Sequence, residues 1–165
     1  MYLSKFNFLI AGAALCALPL LAAGTQPVIH TAAEQAKRAD RLLREMKAEA
    51  QTINSHAAEL EKLAKDPNTQ WAQFDQEWNE IKPAQEMLES HMWALDSMRA
   101  SLTDAQRTAL DQTKQAAPMI AARTRELIRL IDKPGANLRS PQFRSYAQSL
   151  AQNAATVAHA STSGV

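Results

Sequence analysis

Within residues 32–64, apolar side chains recur at spacings that alternate between four and three: Ala32, Ala36, Ala39, Leu43, Met46, Ala50, Ile53, Ala57, Leu60 and Ala64. This heptad rhythm keeps one face of a helix apolar along its whole length, and such a face must be buried against partner helices. Three further segments share the period. The first carries Trp71, Phe74, Trp78, Ile81, Leu88, Met92 and Leu95; the next carries Leu102, Ala109, Thr113, Ala117, Ile120, Leu127 and Ile131. The last carries Phe143, Tyr146, Leu150, Ala154 and Val157. No segment alternates with period two, so no sheet is expected.

Start and stop signals divide these stripes cleanly. Thr31 with Glu34, and Thr103 with Gln106, are spaced as capping boxes, and Ser140 precedes Pro141 at a favoured first helical position. Asp66-Pro67-Asn68 and Lys133-Pro134-Gly135 are breaks. The pattern predicts helices over 31–65, 69–100, 103–132 and 140–160. Short connections between long helices favour antiparallel neighbours. The expected fold is therefore all-α, a single antiparallel up-down-up-down four-helix bundle over 25–165. Glu34 with Arg38 and Glu61 with Lys65 are spaced for helix-surface ion pairs. Pro83 and Pro118 fall inside predicted helices, at similar distances from a turn near Ser101. Each removes a backbone hydrogen bond, so matched bends at one height are expected, with a widened gap between the two helices.

The N-terminus is different in kind. Lys5 precedes an apolar run over 6–23, closed by Ala22, Ala23 and Gly24. That is the layout of a secretory signal peptide over 1–24, and it predicts an exported, periplasmic protein; an uncleaved inner-membrane anchor is the alternative. Cys16 is the lone cysteine; cleavage removes it and with it any disulfide or thiolate chemistry. Residues 25–165 carry equal numbers of basic and acidic side chains, which argues against a nucleic-acid binder. The charge is unevenly spread, however: residues 25–98 have a net charge of −5 and residues 99–165 of +5. The two halves are expected to pack on each other, and a basic face could also meet a membrane surface or an anionic polymer.

Candidate chemistry is sparse. Met46, Met87, His91 and His159 fall near one level of the folded hairpins, and thioether with imidazole is a ligand set for cuprous copper or haem. In architecture this resembles the four-helix b-type cytochromes, with methionine on the first helix and histidine on the last. No c-type haem attachment motif, di-iron Glu-x-x-His motif or glycine-rich phosphate loop is present. Trp93 falls on the polar side of its helix among Glu89, Ser90, Asp96 and Ser97, where an aromatic marks a contact surface. Arg123, Arg125 and Arg129 form the basic counterpart on the third helix.

Leu102-Thr103-Asp104-Ala105-Gln106 resembles the Leu-Thr-x-x-Gln box of Spy-like periplasmic chaperones, a helical, exported family that binds unfolded clients or metal-stress signals. That family typically has two such boxes, and this chain has one. The expected function is a non-catalytic envelope interaction or scaffold protein with no cofactor. It acts on a protein partner, with a second copy of the chain as a further contact. A soft-metal or haem carrier and a Spy-like chaperone are the alternatives.

Overall fold

A computed structural model describes residues 31–133, 135 and 137–165. The predicted signal segment lies outside the described residues. Four α-helices pack against one another: α1 (Ala32–Leu63), α2 (Trp71–Ser97), α3 (Asp104–Ile131) and α4 (Pro141–Ser163). Among the described residues there is no strand, and no helix is long and apolar enough to cross a membrane.

The predicted caps close as their spacing requires. Thr31 N–H donates to Glu34 Oε2 at 2.8 Å, and Glu34 N–H donates to Thr31 Oγ1 at 3.3 Å. Ser140 Oγ accepts from Phe143 N–H at 3.2 Å at the start of α4. Thr69 Oγ1 donates to the Leu63 carbonyl at 2.9 Å, satisfying an open carbonyl at the end of α1. Gly135 takes φ +73° just past α3, the left-handed conformation that glycine adopts without a Cβ penalty. Glu61 and Lys65 pair at 2.7 Å.

The box at 103–106 does two jobs. Thr103 N–H donates to Gln106 Oε1 at 2.9 Å, and Gln106 N–H donates to Thr103 Oγ1 at 3.2 Å. Gln106 is also buried, and its amide donates to Asp40 Oδ1 of α1 at 2.8 Å. The residues that resemble a chaperone box thus start a helix and strut it to a neighbour. Gln106→Leu removes a cap and a charge-assisted bond together, so urea unfolding is expected to show a loss of about 1.5–3 kcal/mol. Thr103→Ala leaves the strut in place and is expected to cost about 1 kcal/mol.

The stripes face a common core. Ala39, Leu43, Met46, Ala50, Ile53, Ala57 and Leu60 of α1 are fully buried, with Leu88 and Leu95 of α2, Leu110 and Leu127 of α3, and Leu150 and Val157 of α4. The α1 stripe departs from expectation at its start, where Ala32 is exposed and Ala36 half-buried. The reason is the length of α4. Its end packs at the level of Leu43, where a Cβ on Gly164 would stand 2.9 Å from Leu43 Cδ1, so the first turn of α1 runs beyond it.

Contacts between helices pair residues in opposite chain directions. Along α1 and α2, His56 Nδ1 lies 2.7 Å from Glu77 Oε2, and His91 Nε2 lies 3.6 Å from Glu45 Oε2. Asn54 donates to the Ala151 carbonyl at 2.8 Å across α1 and α4, and Arg123 to Ser149 Oγ at 3.2 Å across α3 and α4. These three pairs of helices are packed extensively. Helices α2 and α3 are consecutive and joined by a short connection, yet they share far fewer contacts.

Candidate functional site

The seam between α2 and α3 is closed at both ends and open between. At the connecting end a 3-10 turn over Arg99–Ser101 replaces the last predicted turn of α2. It places Arg99 to donate to both oxygens of Asp111, at 2.8 and 2.9 Å, while Lys114 Nζ lies 2.9 Å from Asp96 Oδ2. At the far end the indole N–H of Trp71 donates to the Ile131 carbonyl at 3.4 Å.

Both acids of the connecting clasp titrate below the ordinary carboxylate range. Hydrogen bonding from Lys114 is the main cause at Asp96, and hydrogen bonding from Arg99 at Asp111. A folded-state pKa below the unfolded one gives stability that is present above the unfolded value and lost as pH falls through the folded value. Thermal unfolding should therefore show a Tm that falls as the pH drops below about 4, the ordinary aspartate value. Lys114→Met is expected to flatten the part of that fall due to Asp96.

Between the clasps lies a groove of about 280 Å³. Glu89, Met92 and Trp93 of α2 form one wall, and Lys114, Ala117, Pro118 and Ala121 of α3 form the other. The α3 wall is low because Ala117, Ala121 and Pro118 carry little side chain to reach across. Trp93 is 67% exposed, as its place on the polar side of α2 predicts. The seam continues along both helices by one turn: Gln85 precedes Glu89 by four residues, and Thr124 follows Ala117 and Ala121 at seven and three. Gln85 donates to Glu89 Oε1 at 2.9 Å, but its own Oε1 is buried without a partner, and so is Thr124 Oγ1. A threonine inside a helix ordinarily bonds the carbonyl four residues back, as Thr113 does with Ala109 at 3.0 Å.

The prolines do not share a height. Pro118 lines the groove with Met92 and Trp93, nine residues and about 13 Å along α2 from Pro83. The ion pairs of Asp96 with Lys114 and Arg99 with Asp111 hold this register at the connecting end, shifted from one centred on Ser101, whereas Trp71 and Ile131 meet at the far end in the unshifted one. The gap exists, but only one proline borders it.

The expected electrostatic match between the two halves is realised at one point. Among the described residues, ion pairs crossing from 31–98 to 99–165 involve only Asp96, with Lys114 and Arg99. Helix α2 carries six carboxylates and one lysine, and Glu80, Glu86 and Glu89 form no ion pair among the described residues.

The soft-ligand candidates occupy different surroundings. Met46 is fully buried in the core, whereas Met87 is 46% exposed. His91 faces Glu45 of α1, and its Nδ1 is buried without a partner. His159 is exposed and lines a trough between α3 and α4, beside Gln112, Gln115, Asn153 and Thr156. Among the described residues, no three His, Cys, Asp or Glu side chains are grouped to hold a metal ion. The three arginines also diverge. Arg123 bonds Ser149 and lies 5.2 Å over the Tyr146 ring, which commits it to α4. Arg125 donates to the Ala121 carbonyl beside the groove at 3.3 Å, and Arg129 pairs with Glu126 at 3.3 Å.

Sequence reasoning missed Gln85 and Thr124. The signal was a polar residue on a stripe otherwise read as core. Comparison of the chain with protein-family models, curated proteins and solved structures finds no match to any of them.

Proposed function

We propose that the protein is a non-catalytic interaction protein of the cell envelope. In this reading the helices form a single antiparallel up-down-up-down bundle, and a protein partner docks on the α2–α3 seam through Trp93. The observation that carries the reading is a 67% exposed tryptophan on the wall of an apolar groove, at the one seam of consecutive helices that is sparsely packed. A large aromatic beside a recess is the usual anchor of a protein contact. Isolated exposed apolar residues are common, but here the exposed ring borders a groove at the sparsely packed seam.

The test is site-specific photocrosslinking in the native host. A benzophenone side chain at position 93 should give one discrete adduct on irradiation. The same group at position 58, on the exposed side of α1, should give none. No adduct at 93, or equal labelling at both positions, overturns the reading.

A further inference from the structure

We infer that the outer face of the first half of α1 is a phosphate-binding strip that seats on an anionic phospholipid surface. The inference is independent of docking at Trp93.

The strip consists of Lys37, Arg38, Arg41 and Arg44. All four are exposed, and with Glu34 they line one shallow recess. With Lys47 they give residues 37–48 a net charge of +3, inside a half of the chain whose balance is −5. Outside this stretch most cations are engaged, either with carboxylates or, like Arg139 and Arg144, with backbone oxygens. Lys82 and Lys133 are unpaired but stand singly. Lys37, Arg38, Arg44 and Lys47 form no ion pair among the described residues, and they stand together.

The neighbouring acids do not cancel this charge. Glu45 lies 3.9 Å from Arg41 and 3.6 Å from His91, and Asp40 accepts from the Gln106 amide of α3. Glu34 accepts from Thr31 N–H in the capping box. Glu49 follows Glu45 by one turn, on the edge of α1 that faces α2. Asp96, near the end of α2, is held by Lys114 across the other seam. Helix α4, which flanks the opposite edge of α1, contains no Asp or Glu. The cluster also has a local cost. Arg41 stands four residues after Lys37 and three from both Arg38 and Arg44, spacings at which like charges weaken a helix. Local conflicts of this kind are expected where a surface has a function to serve.

Shape and place select a membrane among anionic partners. The four side chains project from one convex helix over about 10 Å, which suits a flat array of headgroups. No aromatic residue stands among them to stack a base. Residues 24–30 link the apolar run over 6–23 to the start of α1, and seven residues span at most about 25 Å. Helix α1 therefore enters the fold beside the bilayer for as long as that run is held there. Only Ala33 and Ala48 lie beside the cations on this face, so the contact is electrostatic and reversible. Helix α1 packs on α2 and α4 and hardly on α3, so this face and the α2–α3 seam open to different sides and can be occupied together.

The test is flotation of the protein, as isolated from its native host, with vesicles of phosphatidylcholine alone or with about one-third phosphatidylglycerol. Their ratio cancels any contribution of the apolar run, which partitions into both. The anionic vesicles are expected to bind about ten-fold more protein at low salt, and the difference to vanish at about 0.5 M salt. Replacing Lys37, Arg38, Arg41 and Arg44 together by Gln should abolish the difference while far-ultraviolet dichroism and Tm stay native. Replacing Lys62, Lys65, Arg129 and Lys133 by Gln removes the same charge elsewhere and should leave the difference intact. Arg44→Glu alone should lower it about three-fold, which keeps the test open should the fourfold variant fail to fold. Equal binding to both vesicles, a preference that survives the fourfold replacement, or one lost equally in the second set overturns the inference. So does tight binding of inorganic polyphosphate or single-stranded DNA without enrichment on the anionic vesicles, because the strip then serves a soluble polymer.

Discussion

Phe143→Ala is expected to lower the free energy of unfolding by about 3–5 kcal/mol, out of the 5–15 kcal/mol typical of a domain. Phe143 is fully buried, and its ring meets Phe74 edge-on, with centroids 5.5 Å apart and planes at 89°. The pair joins the first turn of α4 to the first turn of α2, across the axis of the helices. Truncation therefore opens a cavity between elements that are not neighbours and cannot readily close on it. It also removes an edge-to-face contact worth about 0.5–1.5 kcal/mol beyond area burial. Urea unfolding with an unchanged m-value would report this as a shift in midpoint alone. A cost below about 1 kcal/mol would mean that the end of the helix assembly repacks freely, contrary to the dense core described above.

Trp93→Ala should do the opposite: leave stability within about 0.5 kcal/mol of the parent and weaken partner binding by about thirty-fold or more. The side chain is 67% exposed, so little buried surface is lost on truncation. An anchoring aromatic in a contact typically costs 2 kcal/mol or more when removed. The two readouts together separate a docking residue from a structural one. Thermal unfolding monitors the first, and titration with the crosslinked partner monitors the second. A fall in Tm of several degrees would show instead that Trp93 covers the seam as part of the core, and unchanged binding would remove it from the site.

Much of the helical architecture could be read in the chain because its causes are local. A capping box needs only residues three apart, and Thr31 with Glu34 and Thr103 with Gln106 both close as their spacing implies. The observed helix ends lie within three residues of the predicted ones, since proline and glycine act on the backbone where they stand. Trp93 was legible for the same reason: its phase on α2 is a property of α2 alone.

The seam was not legible. Periodicity states that a face is apolar, but not how closely the facing helix approaches. That distance depends on what each helix places at one height, and so on register. Pro83 and Pro118 are near-equidistant from Ser101 in sequence, yet near the clasps at Asp96–Lys114 and Arg99–Asp111 the helices pair in a shifted register, and of the two prolines Pro118 borders the groove. Gln106 shows the same limit from the other side, because its cap follows from spacing whereas its bond to Asp40 lies 66 residues away.

The sequence by itself determined four helices, the N-terminal caps of α1, α3 and α4, most of their buried faces (Trp71, read on the α2 stripe, is 55% exposed) and the outward phase of Trp93, because hydrophobic period and backbone chemistry operate within a few residues. Only the tertiary structure decided that α1 packs closely on α2 and α4 while α2 and α3 stand apart, that Gln85 and Thr124 hold buried atoms without partners, and that α2 keeps unmatched acids beside the gap. Those outcomes depend on the register and separation of surfaces far apart in the chain, where a few ångströms decide whether two side chains meet.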